Sequence, residues 1–277
     1  MFPNPFSYAR PSSLPEALAL LAQYRDDAKV LAGGQSLIPL LKLRLAAPTA
    51  ILDIGALESL NYTRVDSDDL VVGALTRYCD LERSDVVRRE CPALGHVSSM
   101  VGDPQVRHRG TIGGSLAHAD PASDLPALLL ALDGSVLVTN KRRSRLVSAQ
   151  DFFHGFLTTD LADDEIVTEI RIPRARRSWR YEKFARRAQE WAVIGVVVIR
   201  DEQTGTIRIG LVNAGSTPLR AHTVERALAD GADPASAARL VVGDMQPSAD
   251  VAASAEYRRH LAVTLLERIL RELDVAA

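Results

Sequence analysis

Two short glycine pairs constrain this chain more than any other feature. They are Ala32-Gly33-Gly34-Gln35-Ser36 and Thr111-Ile112-Gly113-Gly114-Ser115, each ending in a small hydroxyl residue. A Gly-Gly step removes two β-carbons, so another group can reach the peptide N–H groups directly. Turns of this kind align N–H donors into an anion-binding nest. A single pair reads more readily as a plain turn than as a ligand loop. Two in one chain suit a ligand with two phosphates, a dinucleotide held by backbone rather than by lysines. No G-x-G-x-x-G and no G-x-x-x-x-G-K-[ST] occurs, so neither a Rossmann fingerprint nor a P-loop is present.

The pairs sit in an alternating pattern of elements. Ser13-Leu14-Pro15-Glu16 reads as a capping box opening a helix, followed by Leu14, Leu18, Leu21 and Ala22 at helical spacing. Lys29 to Leu31 is a strand leading into the first pair, and Ser36 is placed to cap a helix over 37–44. Ile51 to Ile54 and Leu70 to Val72 are further strands, giving an α/β texture. Residues 91–101 read as helix, and Ser123-Asp124-Leu125-Pro126 opens another. Ser135 to Thr139 is a strand. Ile166, Thr168, Ile170 and Ile172 alternate with polar neighbours, which predicts a half-buried strand ended by Pro173. Arg174-Ala175-Arg176-Arg177-Ser178 marks a boundary. Beyond it come three strands (181–186, 191–200 and 206–213) and then three helices (217–229, 234–242 and 253–273). Strands followed by helices predict an α+β unit on an antiparallel sheet.

Composition narrows the function classes. The chain has 277 residues, 47% of them hydrophobic, which accommodates one large domain or two ordinary ones. A net charge of -2 with 25% charged residues calls for neither nucleic acid nor a membrane surface. The apolar stretch near Leu125 to Leu132 is too short to span a bilayer. Met1-Phe2-Pro3-Asn4-Pro5 carries no basic region ahead of an apolar core, so the expected compartment is the cytoplasm. Cys79 and Cys91 are too few and too far apart for a disulfide scaffold or a CxxC metal site. The basic runs Lys141 to Arg145 and Arg174 to Arg180 read as solvated faces. His108 and His118 flank the second loop and read as structural groups.

Two polar residues have double readings. Asp124 is either a helix N-terminal carboxylate facing the dipole or a ligand for a ribityl or ribose hydroxyl. Lys183 is either a strand-surface lysine or a cation near a flavin ring edge. No Ser-His-Asp set and no paired carboxylates declare a protein acid or base.

Taken together these residues resemble the FAD-binding medium subunit of the molybdenum hydroxylase family, which includes carbon monoxide dehydrogenase and xanthine dehydrogenase. Ala32 to Leu37 is similar to the first FAD loop, and Thr111 to Ala117 continuing through Asp120-Pro121-Ala122-Ser123-Asp124 to the second. Glu165 to Pro173 is similar to the strand closing the FAD domain, and Tyr181 to Arg187 to the opening of the C-terminal domain. Ser216 to Ala221 and Ser254-Ala255-Glu256-Tyr257-Arg258 match its later signatures.

The resemblance implies an α+β fold. An N-terminal FAD-binding domain of two α/β subdomains (PCMH-type, 1–175) precedes a C-terminal domain (176–277) with a three-stranded antiparallel sheet and three helices. It assigns FAD contacts to Val30, Leu31, Ala32, Gly33, Gly34, Gln35, Ser36, Leu37, Gly110, Thr111, Gly113, Gly114, Ser115, Ala117, Asp124, Ile166 and Lys183. Asp124 would bond the nucleotide's polar chain, and Lys183 would lie near the ring. It assigns no protein catalytic residue and no metal. Trp191 departs from the smaller residue or tyrosine of relatives, and its indole either stacks near the ring or fills the core. With two cysteines the chain cannot ligate a [2Fe–2S] centre, which takes four thiolates. The implied partners are therefore an iron–sulfur small subunit and a molybdopterin large subunit on separate chains, with an external electron acceptor. The resulting assembly would be cytoplasmic, or held at a membrane through partners. Rival readings are a self-contained FAD oxidoreductase of the same fold and a non-enzymatic ligand-binding module.

Overall fold

The structure is a computed structural model describing residues 2–273. The chain begins with a three-stranded parallel sheet in the order Ser7–Ala9, Ala50–Asp53, Ala28–Leu31. Helix Leu14–Tyr24 covers it, burying Ala17, Leu18 and Leu21. Ser13 caps this helix by accepting from the Glu16 amide at 3.4 Å. The reciprocal arm falls one residue earlier, because the Glu16 carboxylate accepts from the Ser12 amide and hydroxyl instead. The first glycine pair leaves the carboxyl end of Ala28–Leu31, the edge of a parallel sheet where ligand crevices form. Ser36 precedes helix Leu37–Lys42 but its side chain makes no capping bond, contrary to the expected role.

A five-stranded antiparallel sheet follows, in the order Thr63–Asp66, Asp69–Gly73, Ile166–Pro173, Ser135–Thr139, Ser144–Ser148. Helices Tyr78–Arg83, Pro92–Ser99, Ile112–His118 and Asp124–Ala131 share its core. The strand Ile166–Pro173 is central and buried on both faces, which corrects the half-buried expectation. Its polar residues are satisfied from within. Glu169 accepts from Tyr62, Arg64 and Arg171, and Thr168 donates to the Leu137 carbonyl. A buried polar group needs such partners to avoid a desolvation penalty.

The C-terminal unit is a four-stranded antiparallel sheet in the order Arg177–Phe184, Ile194–Asp201, Ile207–Val212, Leu219–Arg220. The fourth strand is two residues long and adds to the three expected. Helices His222–Ala229, Pro234–Arg239, Val241–Asp244 and Ala255–Glu272 cover one face. The second expected helix is thus split, and the second strand begins at Ile194, leaving Trp191 in the preceding loop. The other face of the sheet meets helix Asp124–Ala131, whose side chains are all buried. Contact there is close. A β-carbon on Gly210 would stand 2.2 Å from the Ala127 carbonyl oxygen.

Candidate functional site

A cleft of about 990 Å³ opens where these layers meet. Its wall carries both glycine loops, Asp124, Ile166 and Lys183, and every other residue assigned to FAD except Leu31. Leu31 instead anchors the loop from behind, its carbonyl accepting from Ile54 at 2.9 Å. His118 also lines the cleft. The volume sits at the upper end of the range of about 300–1,000 Å³ typical of ligand pockets, which suits a large ligand.

The first glycine pair, some eighty residues before the second in sequence, packs against the segment that leads into the second. A β-carbon on Gly33 would stand 2.1 Å from the Arg109 carbonyl oxygen and 2.9 Å from Gly110 Cα. One on Gly113 would stand 2.5 Å from Ala74 Cβ. At Gly33 and Gly113 the missing side chains therefore let backbone pack closely on backbone, a role that the sequence pattern did not reveal. Gly34 has a separate reason to be glycine. Its φ of 77° lies in the left-handed region.

The two loops also differ in their donors. Among the described residues, no protein acceptor is found for the amides of Gly33, Gly34, Gln35 or Ser36. Those of the second loop are committed. Gly113 donates to Ala74 O at 2.9 Å, Ser115 to Thr111 O at 3.0 Å, and Gly114 to the Thr111 hydroxyl at 3.2 Å. Both pairs line the cleft, but their amides are not equally free in the fold. The first loop carries the open donors, and the second builds the wall against which it rests.

Asp124 and Lys183 come together on that wall. Lys183 Nζ donates to Asp124 Oδ2 at 2.9 Å and to the Met100 carbonyl at 3.3 Å, with both side chains buried. The Tyr181 hydroxyl donates to Asp124 Oδ1. Burial pushes the Asp124 carboxyl up, opposed by the Lys183 charge and the bonds from Tyr181 and Lys183. Burial also pushes the Tyr181 phenol well up, and the Tyr78 phenol, beside Ser115, to about 12. Both phenols stay protonated at neutral pH. Sequence reading missed both tyrosines. Tyr181 was legible only as the residue two before Lys183, on the same strand face.

A clasp that the sequence placed on a solvated face holds another part of the cleft wall. Arg145 bonds Glu165 at 2.8 Å, the Asp160 carbonyl at 2.6 Å and the Asp160 carboxylate. It thereby ties down the segment from Leu157 to Glu165, much of which lines the cleft. Bonds from Arg145 hold both carboxyls below the usual carboxylate range. A carboxyl lowered on folding stabilises above its unfolded pKa, and loses that contribution as pH falls through the folded one. Arg145→Ala is therefore expected to lower the melting temperature at neutral pH and to flatten its decline in acid. Melting curves measured across that range in both proteins check this; parallel acid declines would refute it. At the cleft mouth Trp191 is 60% exposed, so it does not fill the core.

A cleft at the carboxyl edge of a parallel sheet, with unclaimed amides in a glycine turn, defines a nucleotide-cofactor-binding protein. Comparison with known proteins then gives the family. Residues 4–175 match the FAD binding domain in molybdopterin dehydrogenase, and 179–273 the CO dehydrogenase flavoprotein C-terminal domain. The chain is 40% identical over 232 residues to the caffeine dehydrogenase subunit beta of Pseudomonas sp. (strain CBB1), covering 82% of this chain and 79% of that one. It is 38% identical to the glyceraldehyde dehydrogenase medium chain of Sulfolobus acidocaldarius, covering 99% and 100%. A solved carbon monoxide dehydrogenase from Hydrogenophaga pseudoflava, lacking the Mo-pyranopterin moiety of its cofactor, superposes with a TM-score of 0.95 at 38% identity, over 100% of both chains. The chain belongs to the family of FAD-binding subunits of molybdopterin-dependent dehydrogenases, and is an oxidoreductase component.

Proposed function

We propose that this chain carries FAD as the electron relay of a heteromeric molybdenum hydroxylase. It receives electrons from an iron–sulfur small subunit, downstream of a molybdopterin large subunit, and passes them to an external acceptor. The open amides of Gly33 to Ser36, facing a cleft of dinucleotide size, are the observation that carries this reading. When bound, the isoalloxazine supplies the redox chemistry. The protein's own residues bind and shape. The first-loop amides hold the pyrophosphate, and the second loop fixes their aim through Gly33. Lys183 offers a third N–H donor beyond those used by Asp124 and Met100, and each Asp124 oxygen retains a free lone pair. Both can therefore still meet the cofactor's polar chain or ring edge. Trp191 and Leu157 border the cleft. Residues 1–175 form the FAD domain, and 176–277 the domain that closes over it.

Substrate oxidation belongs to another chain. The relatives serve enzymes named for caffeine, glyceraldehyde and carbon monoxide at similar identity to this chain. Its own two cysteines are buried and too few for an iron–sulfur cluster. Among the described residues no helix is long and apolar enough to cross a membrane. The assembly is assigned to the cytoplasm, or to a membrane surface reached through partners. Purification of the chain with its neighbours tests this reading. Flavin absorption bands, with co-purifying iron, sulfide and molybdenum, are expected. A colourless chain, or substrate turnover by the isolated chain, would overturn it.

A further inference from the structure

The buried cluster on the cleft wall holds more than a ligand contact needs. Tyr181 and Lys183 lie two residues apart on strand Arg177–Phe184, so both reach the same side of the sheet. There they close on Asp124 at the start of helix Asp124–Ala131, one on each carboxylate oxygen. The cross-strand neighbour of Lys183 is Gly195. A β-carbon there would stand 3.2 Å from the Tyr181 hydroxyl, so this glycine leaves the phenol its place. Tyr78, on helix Tyr78–Arg83, and Ser115, on helix Ile112–His118, complete the polar surroundings. Tyr181 is 7% exposed and lies behind the carboxylate, while Asp124 and Lys183 line the cleft.

We propose that Tyr181 is a positioning residue that keeps the Asp124–Lys183 pair charge-neutral at the cleft wall and so sets the reduction potential of the bound flavin. This rests on the reading of the cleft as the FAD site. The phenol is a neutral donor that stabilises the carboxylate without adding charge. With it, the carboxylate form of Asp124, which cancels the Lys183 ammonium, is favoured against the opposing effect of burial. Without it, the buried carboxylate has one donor side chain fewer and takes up a proton more readily. The ammonium then stands uncancelled. A lone positive charge on the wall favours the more negative, reduced cofactor and raises its potential.

The test measures the flavin midpoint potential against pH in the assembled, FAD-loaded complex. Tyr181→Phe is expected to match the wild type at alkaline pH and to rise above it towards acid. Asp124→Asn, which leaves Lys183 uncancelled at every pH, is expected to sit above the wild type throughout. Adding Tyr181→Phe to Asp124→Asn should change nothing further, because the phenol acts through the carboxylate. Lys183→Met is expected to fall below the wild type at alkaline pH, where Asp124 is left uncompensated, and serves if Tyr181→Phe fails to fold. A Tyr181→Phe profile superimposed on the wild type overturns the proposal. So does a Tyr181→Phe shift that persists in the Asp124→Asn background, or a Lys183→Met profile that does not fall. A folded Tyr181→Phe chain that binds no flavin at any pH overturns it as well, since the phenol would then serve binding itself. A wild-type complex without flavin bands refutes the cofactor reading and this proposal with it. Flavin bands with unmoved potentials refute the proposal alone.

Discussion

Replacing Gly33 with alanine is expected to remove FAD from the protein and to lower the melting temperature of the flavin-free chain. The methyl group would have to occupy space 2.1 Å from the Arg109 carbonyl oxygen and 2.9 Å from Gly110 Cα. Both are backbone atoms, so no side chain can swing aside. The two loops must part, at a cost of about 1–3 kcal/mol for overpacking of this kind. In a chain of this size that corresponds to a fall of roughly 2–4 °C per kcal/mol. The same movement displaces the open amides of Gly33 to Ser36 from the wall they rest on, so the pyrophosphate loses its donors. A clash with the ligand alone would predict something different. Then valine would be worse than alanine, and the flavin-free chain would melt normally. Flavin absorbance per chain and melting of the flavin-free form separate the two accounts. Gly243 is the control. A β-carbon there would meet nothing within 4 Å, so Gly243→Ala should leave flavin content untouched. Normal melting of flavin-free Gly33→Ala would show that the loops do not depend on their contact.

The difference between these accounts shows what the sequence could and could not reveal. The glycine pairs were visible because glycine in a turn is unusual whatever its partner. That Gly33 faces Arg109 is a fact of tertiary structure, about seventy-five residues away in the chain, and no local pattern encodes it. The bond of the Gly113 amide to the Ala74 carbonyl is hidden for the same reason, whereas that of Ser115 to Thr111 is a local bond of the helix start. Asp124 and Lys183 were legible as polar residues in suggestive places, but their pairing depends on how strand Arg177–Phe184 docks against helix Asp124–Ala131. Alternation in Ile166–Pro173 suggested a solvent-facing side, yet Glu169 is buried and satisfied by Tyr62 and Arg64, about a hundred residues earlier in the chain, together with Arg171 on its own strand. Arg145 shows the opposite failure. Within a basic run it looks like a solvated charge, and only the fold brings Asp160 and Glu165 to it. Elements with strong local periodicity were readable; the roles of charged residues were set by long-range partners.

Asp250→Ala, a change at a half-exposed residue, is expected to destabilise the chain more than Arg258→Met, a change at a buried one. The Arg258 side chain is 1% exposed and the Asp250 side chain 49%. Arg258 donates to the Val193 carbonyl and, at 2.7 Å, to Asp250 Oδ2. Removing Asp250 leaves a buried guanidinium without its counter-charge, a situation that costs about 3–5 kcal/mol. It also takes away the acceptor of the Ala252 and Ala253 amides just ahead of helix Ala255–Glu272. Removing Arg258 leaves Asp250 free to be hydrated. The main penalty is then the unmet Val193 carbonyl, about 1–3 kcal/mol. Thermal unfolding ranks the two variants, and the reverse order would refute the assignment of charge burial to the arginine end. The site feels both changes. Val193 lies two residues beyond Trp191, and the segment between is further pinned by Asn213, which donates to the Ala192 carbonyl at 2.7 Å. Releasing Val193 loosens the stretch from Ala188 to Trp191, which borders the cleft. Arg258→Met is therefore expected to weaken FAD binding although Arg258 itself does not line the cleft. Arg258→Lys should not restore it, because one ammonium cannot reproduce the planar fork that reaches a carbonyl and a carboxylate together. Titration of FAD into the flavin-free chains checks this step. Wild-type affinity in Arg258→Met would show that the mouth of the cleft is held by Asn213 and the strand pairing alone.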